Sequence, residues 1–193
     1  MTKVLVGGPS GGIGSNEIIL GKEKIIAIID ESGVLYDPKG INRKELLRLC
    51  GRRIDISNFN KARLSNKAFY VSVNDTNITL PNGDLVESGE MFRDTFHLNP
   101  MLEADYFIPC GGNKDSINMQ NVEKMFKPQE KNNKNKFPRF PFIVEGADLF
   151  LTEPARVVLQ EAGCVLFKDS STNKGSVTGS SYEVLAGMAF DDE

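Results

Sequence analysis

Short apolar runs recur along the chain, and each is long enough to form one buried strand. They occur at residues 4–6 and 24–30, within 104–112, and at 142–144 and 164–167. Between most of these runs, apolar residues return at the three- and four-residue spacing of a helix, as Ile13, Ile18 and Ile19 approximately do. Buried strands separated mostly by helices are typical of α/β proteins. The pattern predicts a single α/β domain over residues 1–193, with a doubly wound and mostly parallel sheet.

The segments between the strands predict the helices and loops of this domain. Asn42 and Glu45 have the spacing of a capping box and predict the start of a helix. Further helices are expected over about residues 115–127, from Thr152 to Ala162, and after the small polar segment 173–181 as far as Phe190. Residues 31–40 are rich in turn formers and predict a loop. The Asn- and Lys-rich tract 127–138 predicts a mobile loop rather than a basic binding patch.

Residues 68–87 change to an alternating pattern of apolar and polar positions. Residues 69–73 and 78–80 alternate, Leu85 and Val86 offer a third short strand, and turns separate the three. We therefore expect a small antiparallel β-meander inserted into the α/β domain. Its role is open between an interface or lid and a surface elaboration.

The first strand leads directly into a glycine-rich turn. Gly8, Gly11 and Gly14 follow residues 4–6, and helical spacing begins with them. Strand, glycine turn and helix are the opening of a Rossmann-type dinucleotide-binding unit. Gly8 would permit the tight turn, Gly11 would admit a pyrophosphate, and Gly14 would bring the helix close to the strand. The turn is one residue longer than the usual fingerprint and contains Pro9, so an ordinary strand-to-helix connection is the alternative.

The second apolar run ends in a carboxylate at Asp30. Asp30 follows Gly8 by 22 residues, which is where a ribose-binding acid is expected at the end of the second strand. A carboxylate at this point can accept hydrogen bonds from both ribose hydroxyls and repels a 2′-phosphate. Asp30 therefore favours NAD over NADP. The alternative is a polar residue that merely ends a strand.

Composition and charge narrow the function classes. The chain has 23 Lys and Arg against 26 Asp and Glu, a net charge of −3, so it lacks the basic excess expected for a nucleic-acid partner. No apolar run reaches membrane-spanning length. Cys50, Cys110 and Cys164 are odd in number and far apart, which suits a reducing compartment; we expect a cytoplasmic protein, with a mitochondrial location left open. One histidine and scattered cysteines predict no metal site.

Several segments together resemble the glutamate dehydrogenase superfamily, in the order in which that family has them. They are residues 28–40, residues 104–112, Ile117 with Asn118, residues 144–148 and residues 173–178. The glycine turn over residues 7–17 and the inserted meander resemble the large, NAD-specific branch of the family. Jointly these segments cover nearly the whole chain and are specific, whereas any one of them alone is not.

The resemblance implies the nucleotide-binding domain of an enzyme that deaminates L-glutamate to 2-oxoglutarate with NAD. The residues that it implies beside the cofactor are Gly8, Pro9, Ser10, Gly11, Gly12, Ile13, Gly14, Asp30, Cys110, Gly111, Gly112, Asn118, Asp148 and Asn173. It also implies that Ser180 contacts the side-chain carboxylate of the substrate. Asp148 stands where the family usually has asparagine, and a carboxylate cannot donate an amide hydrogen bond to the nicotinamide ribose.

The resemblance further implies that the catalytic lysine and aspartate lie outside this chain. We expect them on a substrate domain that precedes Lys3 in a longer protein, which is expected to form a homo-oligomer. Lys174 is expected in a solvated loop. Two other functions remain open, namely a non-catalytic module that binds NAD or ADP-ribose as a regulatory ligand, and a dehydrogenase for branched or aromatic amino acids.

Three further residues have simple structural interpretations. Cys110 is expected to be a small residue at a strand end rather than a reactive thiol. His97 is expected to be an ordinary surface or interface histidine, because no acid or nucleophile pattern surrounds it. Glu145 is expected to be a structural hydrogen-bonding acid.

Overall fold

The computed structural model describes residues 1–128 and 136–190, and the strands of this part form a seven-stranded sheet and a two-stranded hairpin. The strands are β1 (Thr2–Val6), β2 (Lys24–Asp30), β3 (Gly33–Tyr36), β4 (Phe69–Ser72), β5 (Thr76–Thr79), β6 (Leu85–Ser88), β7 (Tyr106–Pro109), β8 (Phe142–Val144) and β9 (Val165–Phe167). The order in the large sheet is β4–β3–β2–β1–β7–β8–β9, and β5 pairs with β6. The predicted α/β class with a mostly parallel sheet is confirmed.

The direction of the strands creates a crevice beside β1. Strands β2 and β7 lie parallel to β1 on either side of it, and β8 and β9 continue in the same direction. Strand β3 runs antiparallel to β2, and β4 runs antiparallel to β3, so β4 shares the direction of β2. Because the chain passes from β1 to β2 on one side and later reaches β7 on the other, their carboxyl ends border the point where the strand order reverses. Ligands of open α/β sheets bind at such points.

Helices cover the sheet and fill its connections. In the described residues they are α1 (Gly12–Leu20), α2 (Arg43–Arg52), α3 (Gly89–Thr95), α4 (Glu153–Glu161), α5 (Asp169–Thr172) and α6 (Lys174–Ala189). The side chain of Asn42 accepts a hydrogen bond from the N–H of Glu45 at 3.1 Å, which confirms the predicted cap of α2. Across residues 1–128 and 136–190, no helix combines the length and the apolar composition that a membrane span requires.

Alternation along the strands divides the hydrophobic core between the two faces of the sheet. Val4 and Val6 belong to one buried cluster, and Leu5 between them belongs to the other. The first cluster continues through Phe107 of β7, and the second packs against Leu46 of α2. Both faces of the sheet at β1 are therefore buried, as the continuously apolar sequence of this strand predicts.

Two parts of the predicted topology are wrong. Residues 33–36 were expected in a loop but form β3, because Val34, Leu35 and Tyr36 are buried between β2 and β4. The β-meander expected over about 68–87 is not a single unit, since β4 joins the large sheet through β3 and only β5 and β6 form a separate hairpin. Alternation reports which face of a strand is buried, but it does not identify the neighbouring strand.

The helix predicted over about 115–127 is also wrong. Asp115 has a φ of 54°, and the side chain of Asn118 donates to the carbonyl of Asp115 and accepts from the N–H of Gln120. Such local hydrogen bonds compete with those of a helix, and helical structure is confined to a single turn at Val122–Met125. At the other end of the chain, α6 begins at Lys174, inside the polar segment that was expected to precede it. Of the predicted loop 127–138, residues 129–135 lie outside the described residues.

A buried ion pair joins the end of β8 to α4. The carboxylate of Glu145, which is 0% exposed, accepts from Nε of Arg156 at 2.7 Å and from the N–H of Leu151 at 3.1 Å. Arg156 is itself 4% exposed and also pairs with Glu153 on the surface. The structural role predicted for Glu145 is confirmed.

Glu145→Gln is expected to lower the free energy of unfolding by about 3 kcal/mol, because it removes the buried carboxylate of the pair and leaves Arg156 only its exposed partner Glu153. Glu153→Gln is the matched control, since it removes a carboxylate from the same guanidinium at a side chain that is 66% exposed. The control should cost less than about 1 kcal/mol. Urea unfolding followed by circular dichroism measures both values, and equal losses would contradict the role of the buried pair.

Candidate functional site

Gly7 allows the turn after β1 to pass close to β7. Its φ is 102°, and an added Cβ would lie 3.0 Å from the carbonyl carbon of Cys110. The N–H of Gly7 donates to the carbonyl of Ile29 at 2.7 Å, and the N–H of Cys110 donates to the carbonyl of Val6 at 2.6 Å. The tight turn therefore lies one residue earlier than its predicted position at Gly8.

Gly8 and Gly14 permit two further close approaches. A Cβ on Gly8 would lie 2.4 Å from Oδ2 of Asp30, and a Cβ on Gly14 would lie 2.5 Å from the carbonyl oxygen of Gly8. Helix α1 thus lies directly against the turn, as the position of Gly14 predicts. Gly11 differs, because the nearest atom to an added Cβ is 3.7 Å away and the residue is exposed just before α1. Its surface is open to a ligand at the helix N-terminus.

A cavity of about 320 Å³ opens at the carboxyl ends of β1, β2 and β7. It is lined by Val6, Gly7, Gly8, Gly11, Ile29, Asp30, Glu31, Arg93, Asp94, His97, Cys110, Gly111, Gly112, Asn113, Ser116 and Phe150. The lining includes Gly8, Gly11, Asp30, Cys110, Gly111 and Gly112 from the residues predicted beside a cofactor. Pro9, Ser10, Gly12, Ile13 and Gly14 belong to the adjoining turn and helix start but do not line the cavity. We call this cavity the cleft.

A larger cavity lies away from the glycine turn. Its volume is about 610 Å³, and its walls include Leu98, Glu123 and Lys127. It contains none of the residues predicted beside a cofactor. The cleft is therefore the cavity lined by six of the residues predicted beside a cofactor.

Asp30 is buried in the wall of the cleft, and most of its hydrogen-bond acceptor positions are used by neighbouring residues of the chain. Its Oδ1 accepts from the N–H and the hydroxyl of Ser32 at 2.9 and 2.7 Å, and its Oδ2 accepts from the N–H of Ile56 at 2.9 Å. A carboxylate has about four acceptor positions, so about one remains, on Oδ2. Asp30 can thus accept one ribose hydroxyl rather than the two expected. Burial raises the pKa of Asp30 to about 6, against the hydrogen bonds from Ser32 and Ile56 that lower it.

Burial also determines the chemistry of Cys110 and His97. It raises the pKa of the Cys110 thiol to about 12, so the thiol stays protonated at neutral pH. The ring of His97 packs against Phe107 and Phe150, and burial lowers its pKa to about 4. The imidazole is therefore neutral, and the expectation of a surface or interface histidine is wrong. Within residues 1–128 and 136–190, no three His, Cys, Asp or Glu side chains converge as metal ligands would.

Asp148 and Asn173 are brought together although they are far apart in the sequence. Nδ2 of Asn173 donates to Oδ1 of Asp148 at 3.3 Å, which joins the segment after β8 to the start of α6. The segment of Asp148 approaches the glycine turn, since a Cβ on Gly146 would lie 3.1 Å from Cγ2 of Ile13. The two residues lie outside the cleft on its β8 side, while Asp30 lies on its β2 side. An extended dinucleotide spans a crevice in this direction.

Asn118 and Ser180 do not line the cleft. The amide of Asn118 is engaged in the turn that replaces the predicted helix. Ser180 is exposed on α6, where its hydroxyl donates to the carbonyl of Val177 at 3.1 Å. It lies on a shallow surface groove with Val184 and Leu185. A substrate that contacts Ser180 would therefore lie outside the cleft, on the exposed surface of α6.

The structure adds charged residues that the sequence did not indicate. Glu31 lines the cleft and accepts a hydrogen bond from the hydroxyl of Ser10 at 2.8 Å. Arg93 and Asp94 reach the cleft from α3, directly after the hairpin. Glu31 could have been found as a second acid after β2. The approach of Arg93 depends on how α3 packs, and no local pattern signals it.

These features define a class of protein, an α/β fold whose cleft lies where a glycine turn after β1 meets the ends of β2 and β7. More specifically, the chain belongs to the glutamate/leucine/phenylalanine/valine dehydrogenase family, whose profile matches residues 1–193. It is 51% identical over 192 residues to glutamate dehydrogenase 2 of Dictyostelium discoideum, and 50% identical over 192 residues to the probable NAD-specific glutamate dehydrogenase of Schizosaccharomyces pombe. Both alignments cover 100% of this chain but 18% and 17% of the relatives, so the chain spans less than a fifth of their length.

Solved structures show the same fold. The hetero-hexameric glutamate dehydrogenase from Thermus thermophilus, in its Leu-bound form, has a TM-score of 0.55 at 16% identity, with 100% of this chain and 35% of that chain covered. The Plasmodium falciparum glutamate dehydrogenase has a TM-score of 0.54 at 16% identity, with 91% and 31% covered. At such identities the likeness concerns the fold alone.

Proposed function

We propose that this chain is the NAD-binding part of a glutamate dehydrogenase, which moves a hydride between the Cα of L-glutamate and a nicotinamide and yields 2-oxoglutarate. The observation that carries the proposal is the cleft, which is lined both by Gly11, open at the start of α1, and by Asp30 at the end of β2. A substrate domain elsewhere in a longer protein supplies the catalytic groups. The full-length protein works as a homo-oligomer in the cytoplasm.

The groups around the cleft suit an extended dinucleotide. The first N–H groups of α1 have no acceptor within the helix and form the positive end of its dipole, so they suit a pyrophosphate beside Gly11. On the β2 side, Oδ2 of Asp30 accepts an adenosine ribose hydroxyl. On the β8 side, Asp148 and Asn173 stand at the nicotinamide end. NAD, when bound, supplies the hydride acceptor.

The described residues that line the cleft include no lysine and no readily protonated histidine, which supports a catalytic lysine on another domain. The one histidine among these residues is neutral and packed between aromatic rings. Lys174 is exposed at the first residue of α6, and Lys3 is buried at the opposite edge of the sheet between Glu17 and Glu23. A general base must lie within reach of the reacting proton, so neither lysine suits the task.

The chain is expected to bind NAD at least tenfold more tightly than NADP at pH 8. Two unit charges 4 Å apart repel by about 4 kcal/mol at an effective dielectric near 20, and Asp30 opposes a 2′-phosphate in this way. Because the pKa of Asp30 is about 6, the carboxylate is ionised at pH 8 and protonated at pH 5, where the preference should narrow. Titration calorimetry with both cofactors at both pH values measures this.

Asp30→Ser is the control for this preference. A 2′-phosphate also loses charge near pH 6, and a neutral serine shows that contribution alone. The variant should show a smaller preference for NAD and a weaker pH dependence. Equal affinities of the unmodified chain for NAD and NADP at pH 8 would contradict the role of Asp30.

Gly11→Val is expected to abolish NAD binding while the fold survives. An added Cβ at Gly11 lies 3.7 Å from its nearest neighbour, so the protein accommodates it, but the branched side chain occupies the space for a pyrophosphate. Gly51→Val is the matched control, because an added Cβ there meets nothing within 4 Å on the far helix α2. Calorimetry with NAD and thermal unfolding are measured for each. Normal NAD affinity in Gly11→Val would show that the pyrophosphate does not lie on this turn.

The purified 193-residue chain is expected to bind NAD and yet form no NADH from glutamate, because hydride transfer needs a base and a closed, water-excluding site. The full-length protein should form NADH from glutamate in preference to leucine or phenylalanine. Absorbance at the NADH band follows all three reactions. Turnover by the 193-residue chain would show that catalytic groups lie within it. Preference for leucine or phenylalanine would indicate the related dehydrogenase, and a full-length protein inactive on all three would indicate a regulatory module.

A further inference from the structure

Arg93 is a charged side chain in the wall of the cleft that the fold alone does not explain. It lies on α3, which connects the hairpin to the segment before β7, and its side chain is 27% exposed. Most of the side chain is therefore removed from water. A cation in this position is costly unless its N–H groups find acceptors.

One donor of Arg93 lacks an acceptor. Its Nε is buried and finds no hydrogen-bond acceptor anywhere in residues 1–128 and 136–190. Oδ1 of Asp94 lies 3.1 Å from this nitrogen, so the two charges form an ion pair, but the N–H is not directed at that oxygen. The guanidinium therefore has hydrogen-bonding capacity that the described protein does not use, and Arg93 lines the cleft, where a ligand can supply acceptors.

The charges around Arg93 favour a ligand with both donors and acceptors. Asp30, Glu31 and Asp94 line the same cleft, and Arg93 is the cation among the lining residues because His97 is neutral. Three carboxylates would repel an anionic nucleotide, and Arg93 offsets part of that repulsion. Asp30 is the last residue of β2 and Glu31 follows it, and the end of this strand is the adenosine side of the crevice in a dinucleotide-binding sheet.

We propose that Arg93 binds the adenosine half of the dinucleotide, where its guanidinium donates to acceptor atoms of the adenine base and its ribose. The proposal rests on the proposed function, since it needs NAD in the cleft. It assigns a role to α3 and the preceding hairpin, which bring a specificity-determining cation to the wall that faces Asp30. Arg93 takes no part in hydride transfer, which occurs at the β8 side.

Titration calorimetry of the 193-residue chain with NAD, ADP-ribose and AMP tests this contact. Arg93→Gln should weaken all three by a similar factor of at least about tenfold, because all three carry the adenosine half and a hydrogen bond to a charged group is lost. Arg93→Lys should recover part of the loss, since it keeps the charge without the planar fork. Arg52→Gln, at an exposed position on α2, makes the same change in net charge and should alter each affinity less than twofold.

The outcomes separate this proposal from the proposed function. If the unmodified chain binds NAD and Arg93→Gln binds it within twofold, Arg93 does not contact the nucleotide and the proposed function stands. A loss for NAD and ADP-ribose without a loss for AMP overturns the adenosine contact, because the contact then lies on the second phosphate or beyond. If the unmodified chain does not bind NAD, the proposed function fails first.

The thermal unfolding curve of Arg93→Gln shows whether that variant is folded. If it is not, Asp94→Asn provides a second test of the proposal. This variant retains Arg93, removes its ion-pair partner and takes one negative charge from the cleft. It should bind NAD and AMP at least twofold more tightly than the unmodified chain. Weaker binding of both would overturn the proposal, since it would mean that Asp94, and not Arg93, holds the nucleotide.

Discussion

The cleft depends on three close approaches of the backbone at the turn after β1. Gly7 passes against β7, Gly8 passes against the side chain of Asp30, and Gly14 passes against Gly8. A methyl group at any of these positions would overlap or press on an atom of a neighbouring segment. The end of β1, the end of β2 and the start of α1 are therefore fixed relative to one another by the absence of side chains. Gly11, in the same turn, is under no such constraint. The fold requires glycine at the other three positions, whereas the surface at Gly11 is available to a ligand.

Charge is distributed unequally between the two edges of the sheet. At the amino-terminal edge, the buried ammonium group of Lys3 contacts the carboxylates of both Glu17 and Glu23. At the carboxyl edge, Asp30, Glu31 and Asp94 stand around a single Arg93. The first arrangement stabilises the fold, because every charge in it is in contact with an opposite charge, whereas in the second only Arg93 and Asp94 form an ion pair. The second leaves a net negative electrostatic potential and unoccupied hydrogen-bonding positions in the cleft. Such an arrangement suits the recognition of a ligand more than the stability of the fold.

The sequence predicts the parts of this protein that depend on interactions between residues close together in the chain. Strands β1, β2, β7, β8 and β9 are detectable because their apolar runs stand between turns and helices, and the position of Asp30 follows from the length of one strand–helix–strand unit. Strand β3 escapes detection because turn-forming residues stand on both sides of it, and its burial comes from β2 and β4. For the same reason, no pattern near Asp30 shows that the N–H of Ile56, 26 residues later, occupies one of its oxygens.

The hydrogen bond between Asp148 and Asn173 has a mechanical consequence. It lies at the base of α6, whose 16 residues extend about 24 Å from it at about 1.5 Å per residue. A rotation of about 5° at this base displaces the far end of α6 through an arc of about 2 Å, by the geometry of a rigid helix of that length. Conversely, a displacement of the far end of α6 produces a much smaller displacement at the β8 side of the crevice. The hydrogen bond between Asn173 and Asp148 thus connects a long exposed helix to the β8 side of the cleft.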